Sequence, residues 1–109
     1  MKEATARGFE STKVEQVNIV FTKTDDQNSV LVVPGKFFIK LNDQVEWKCA
    51  SGGFSVDFNG ANGSPFGESH YQLAGKGSIL SGPATTSGEF KYTVTVDGNV
   101  LDPSGKVDP

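Results

Sequence analysis

At 109 residues the chain is the size of one domain, long enough to bury roughly 65% of its unfolded surface without a metal or a disulfide. The formal net charge of -3 and the pI near 5.0 leave no electrostatic footprint for nucleic acid or an anionic membrane. No apolar run approaches the ~20 residues of a membrane-spanning helix. Thirteen glycines beside an apolar fraction of 36% suit short strands and turns better than helices.

In chain order, residues 1–12 mix charge, Ala, Ser and Thr with only Phe9 as an apolar anchor, the composition of an N-terminal tail. The single domain is therefore expected to span 13–109. Met1 is followed by no apolar core of a signal peptide, so the expectation is a cytoplasmic chain unless it is cut from an exported precursor. Val14 to Thr22 places Val17, Ile19 and Phe21 on one face and reads as a first strand. Val30 to Val33 is a continuous apolar run, expected to be buried on both faces. Pro34-Gly35 breaks it and marks an edge or a bend.

Three alternating runs follow, and the rest of the chain is organised around them. Phe37, Ile39 and Leu41 share a face; Asn42-Asp43 turns the chain; Val45, Trp47 and Cys49 share the next. After Ser51-Gly52-Gly53, Phe54, Val56 and Phe58 share a third. Asn59 to Ser69 is rich in Gly, Asn and Pro and reads as a loop, with Tyr71-Gln72-Leu73 and Ser78-Ile79-Leu80 as strand fragments beyond it. Phe90, Tyr92, Val94 and Val96 then alternate up to Asp97-Gly98, a two-residue hairpin signal that sends Asn99-Val100-Leu101 back. Asp102-Pro103 is expected to stop the last strand. The pattern predicts an all-β, two-layer antiparallel Greek-key sandwich of about seven strands.

The order of LVVPGKFFIKLNDQVEWKCASGGFSVDF followed by SGEFKYTVTVDGNVLDP resembles the cupredoxin-like family over about two-thirds of the chain. It shares a Pro before a strand, a V-x-W strand, a strand ending in x-V-x-F and, as Gly88-Glu89-Phe90-Lys91-Tyr92, a late strand similar to the family's G-x-Y-x-Y. Blue-copper members hold the metal with two His, a Cys and usually a Met. The resemblance puts Phe54 where the first His belongs and Val94 where the Cys belongs, and residues 95–109 contain neither His nor Met. A copper-free member without cofactor is the implied expectation.

Other chemistry is thinly represented. The chain holds one Cys and one His, whereas a trigonal copper site needs two His and a Cys. Cys49 falls on the apolar phase of its strand, where it acts as a small hydrophobe. Asp57 to Gly63 looks like a calcium loop, but Ala61 stands at a ligand position and no bidentate Glu follows at the required offset. Ser69 and His70 come without a G-x-S-x-G turn. The expectation is accordingly not an enzyme but an interaction or assembly module, binding a protein partner or a second copy of itself. The alternatives are a small-molecule or carbohydrate binder using Trp47, Tyr71 or Phe66 as a stacking platform, and a copper-handling or electron-transfer protein. Pro65, Phe66, His70 and Tyr71, in or beside the long loop, are the candidate partner-binding residues. Phe66 has a competing role as a plug over the open end of the sandwich.

Overall fold

A computed structural model describes residues 13–109. The expected tail at 1–12 lies outside the described residues. The described residues form eleven strands: β1 (Val14–Lys23), β2 (Asn28–Val33), β3 (Lys36–Lys40), β4 (Gln44–Cys49), β5 (Phe54–Asp57), β6 (His70–Leu73), β7 (Gly77–Leu80), β8 (Gly88–Lys91), β9 (Thr93–Val96), β10 (Asn99–Leu101) and β11 (Ser104–Asp108). No helix occurs among the described residues. The all-β class follows from the period-two pattern, because each strand has one face to bury.

Sheet order is β2-β1-β4-β7 in one layer. The other layer is made of two pieces, β10-β9-β5-β6 and β3-β11-β8. They join end to end, since only Tyr92 separates β8 from β9, and only Asp102 and Pro103 separate β10 from β11. The Tyr92 N–H donates to the Pro103 carbonyl across that seam at 3.0 Å.

Two features depart from the sequence expectation. The sandwich is mixed rather than purely antiparallel, because β1 runs parallel to β4 and β11 parallel to β3. Its strands also outnumber the expected seven. The fragments at Tyr71 and Ile79 are strands in their own right, a break at Tyr92 divides the run from Phe90 to Val96, and Asp102-Pro103 interrupts the C-terminal segment without ending it: β11 follows. That strand escapes a hydrophobic pattern because one of its two inward positions is Gly105. A Cβ there would stand 2.1 Å from the Phe37 ring, so the ring occupies the space a side chain would need. The Asp97-Gly98 turn is as the sequence predicts, with positive φ at both residues (51° and 78°), the type I′ geometry of two-residue hairpins.

The two layers meet on a cluster of aromatic rings. Trp47, fully buried, has ring centroids 5.1 Å from Tyr71, 5.8 Å from Tyr92, 6.0 Å from Phe58 and 6.1 Å from Phe66. Phe37 extends the cluster at 5.8 Å from Tyr92. Spacings of this kind are the tilted and edge-to-face arrangements that aromatic quadrupoles favour. Trp47 Nε1 and Tyr92 Oη have no hydrogen-bond partner among the described residues. Burial pushes the Tyr92 hydroxyl up to about 12, against the opposing effect of the nearby indole N–H.

A buried carboxylate ties the entry to β1 to this core. Asp43 accepts from the Lys13 and Lys40 backbone N–H groups at 2.9 and 3.0 Å, while its own carbonyl accepts from Ala84 at 2.9 Å. The side chain thus holds the entry to β1 and the β3–β4 turn, and the backbone carbonyl of the same residue holds the loop before β8.

Candidate functional site

Of the four residues the sequence singles out, three belong to the core. Phe66 is 5% exposed and Tyr71 is 5% exposed, and Pro65 is buried beside them. The loop folds inward because its polar groups are satisfied locally. Ser64 Oγ donates to the Glu68 carbonyl at 2.6 Å and accepts from the Phe66 N–H at 3.0 Å. The Pro65 carbonyl accepts from Thr85 N–H at 2.7 Å. Phe66 then packs edge-on to Trp47 and Phe58, which is the plug arrangement. The Tyr71 hydroxyl donates to the Ser81 carbonyl at 2.7 Å, and burial pushes it up to about 12.

His70 alone of the four faces solvent. It stands opposite Asp57 across the β5–β6 pair; its Nδ1–H donates to the Asp57 carboxylate, and its Nε2 lies 3.4 Å from Gln72 Oε1. The hydrogen bond to Asp57 and then that to Gln72 hold the imidazole above its ordinary value of 6.5. Asp57 is also the register partner of Thr93, whose hydroxyl donates to Asp102 at 2.8 Å. His70, Asp57, Thr93 and Asp102 form a polar row across the outer face of this sheet. Among the described residues no three His, Cys, Asp or Glu side chains are grouped to hold a metal ion.

The positions at which the resemblance would place copper ligands are apolar and buried. Phe54 is 4% exposed and sits opposite Leu73. Val94 is fully buried, opposite Val56. Cys49 is buried on β4 in the other layer, its Sγ 3.4 Å from Ser51 Oγ, while His70 is at the surface of β6. Among the described residues these donor atoms do not converge, so they do not fit the copper centre that the resemblance implies.

The surface feature that sequence reasoning missed is the outer face of β2-β1-β4-β7. Among the described residues seven large hydrophobic side chains are exposed, and five of them, Val14, Val20, Leu31, Val33 and Leu80, lie on this one sheet. Val20 and Leu31 are direct cross-strand partners. The run Val30 to Val33, expected to be buried on both faces, buries only Val30 and Val32; Leu31 and Val33 are each 53% exposed. β2 is an edge strand of a sheet with one solvent face, so among the described residues nothing covers half of its apolar side chains. The signal lay in that uninterrupted run, which period-two burial alone does not require.

Two measurements check this geometry. Phe66→Ala is expected to lower stability by about 3–5 kcal/mol in denaturant unfolding, whereas an exposed anchor would change it by no more than about 0.5 kcal/mol. An NMR titration of the His70 ring should give a pKa above 6.5 that falls when Asp57 is replaced by Asn. With the folded value raised, the stabilising contribution of this pair is fully present below pH 6.5 and is lost as pH rises through the folded-state pKa.

No protein-family model matches the chain, and no curated protein does. Among solved structures it is similar to a pseudoazurin from Sinorhizobium meliltoi, with a TM-score of 0.58 and 14% identity over 90% of this chain and 76% of that one. At that identity the likeness is one of architecture: the chain has a cupredoxin-like β-sandwich fold.

Proposed function

We propose that this chain is a non-enzymatic interaction module, a cupredoxin-like sandwich that acts as a rigid carrier for a protein-binding face. The observation that carries this reading is the gathering of Val14, Val20, Leu31, Val33 and Leu80 on the outer face of one sheet. Single exposed hydrophobics are ordinary, but Val20, Leu31 and Val33 adjoin across β1 and β2, with Val14 and Leu80 elsewhere on the same face, a concentration that supports a contact surface. The alternatives lack such support. Trp47, Tyr71 and Phe66, the rings a carbohydrate platform would need, are buried against one another. Electron transfer through copper would require donors where Phe54 and Val94 stand.

The test has two arms. A photo-cross-linking amino acid at position 31 of the full chain, in the source cells, should give discrete protein adducts that disappear when Val20→Lys is added. Addition of Cu(II) to the reduced protein should give no intense thiolate-to-copper absorption band. Absence of any protein adduct, or appearance of that band, would contradict the reading.

A further inference from the structure

We infer that the occupant of this face is a second copy of the chain, packed face to face about a two-fold axis that crosses β1 and β4 at Val17 and Trp47. The inference rests on the interaction reading above and names its partner. It comes from the register. Val17 and Trp47 are direct partners across the parallel β1–β4 pair, so the two strands share one level at which such an axis can lie. About Val17, the outward residues of β1 read Val14, Gln16, Asn18, Val20, a sequence whose chemistry is the same in both directions. About Trp47, the outward residues of β4 are Glu46 and Lys48, opposite in charge.

An axis lying between the two sheets, perpendicular to the strands at that level, reverses strand direction in the second copy. It sets Val20 against Val14 of the other copy, Asn18 against Gln16, and Glu46 against Lys48, each twice. A two-fold axis parallel to the strands and over β4 would instead set Glu46 on Glu46 and Lys48 on Lys48, which is repulsive, and one midway between β1 and β4 would set Glu46 on Gln16 and Lys48 on Asn18, which pairs no opposite charges. The charge pattern therefore selects one of the two stackings. Glu46 and Lys48 are the only charged residues at the outward positions of these four strands. The Glu46 carboxylate is already held in place, accepting from Gln16 Nε2 and from Ser78 Oγ at 2.9 Å each. Sheets packed face to face keep their strands within about 30° of alignment, so the residues nearest the axis on the two central strands remain opposed.

The size of the face sets the strength of the contact. Four strands about 4.8 Å apart, over about seven residues of about 3.4 Å each, cover about 450 Å² in projection. Standard interfaces bury about 800 Å² per partner. A footprint of this size belongs with the small, weak class of specific interfaces.

Sedimentation equilibrium of the full chain from about 10 μM to about 1 mM tests this. The average mass should rise from that of the monomer towards twice 11.6 kDa. Lys48→Glu and Glu46→Lys should each weaken association at least tenfold, since each brings four like charges together. Mixing the two variants should restore it to within a few-fold of the wild-type constant, because the heterodimer pairs every charge. Glu46→Lys also removes hydrogen bonds within the sheet. A second pair, Val14→Lys mixed with Val20→Glu, disturbs none and should show the same rescue.

A wild-type chain that stays monomeric at 1 mM, reversals without effect, or mixtures that fail to associate would overturn the inference. If the wild type is monomeric while the probe at position 31 still captures a different protein, self-association falls and the interaction module stands.

Discussion

The fold depends on the packing of Trp47 across the space between the layers. It sits on β4, inside the first sheet, and its ring meets Tyr71 from β6, Tyr92 from the β8–β9 seam, Phe58 from the end of β5 and Phe66 from the long loop. Aromatic side chains bury about 150–250 Å² each, and at about 25 cal/mol per Å² each contributes about 4–6 kcal/mol as an upper estimate. Against this stand Trp47 Nε1 and Tyr92 Oη, which lie near each other without closing a well-formed hydrogen bond, at a cost of at most about 1–3 kcal/mol each. The apolar area wins, which explains how a domain of modest apolar content tolerates orphaned polar groups at its centre.

That arrangement also determines what the long loop does. A loop with this much Gly and Pro is usually placed at the surface, yet here Ser64 satisfies both Phe66 N–H and the Glu68 carbonyl, so the backbone can follow its aromatic side chain inward. Sequence patterning identifies Phe66 as special but does not choose between plug and anchor, because the choice depends on which local hydrogen bonds the turn can close. The strands carrying Val45, Trp47, Phe54, Val56, Tyr92 and Val94 were legible from alternation alone, as was the Asp97-Gly98 hairpin. β11 was not, because Gly105 reads as a turn residue until Phe37 is seen filling its place. The parallel pairings were illegible for a related reason: strand neighbours far apart in sequence leave no local signal.

The candidate site illustrates the same division. Resemblance to the cupredoxin-like family directs attention to positions 54 and 94, and the packing there is apolar and closed. The chemistry-bearing residues that remain, His70, Asp57, Thr93 and Asp102, make a polar row suited to solvent. What the surface does offer is Val14, Val20, Leu31, Val33 and Leu80 on the outer face of a single sheet. The two-fold pattern around Val17 and Trp47 is invisible in the linear sequence, because it exists only once β1 and β4 are set side by side in register.

The claim on which the rest stands is that Trp47 is the shared centre of both layers, and its own fluorescence tests it most directly. Emission should be blue-shifted in the folded chain and should move red in one cooperative step that coincides with the loss of far-ultraviolet circular dichroism. Red-shifted emission from the native protein, or a fluorescence transition separated from the loss of secondary structure, would contradict the account.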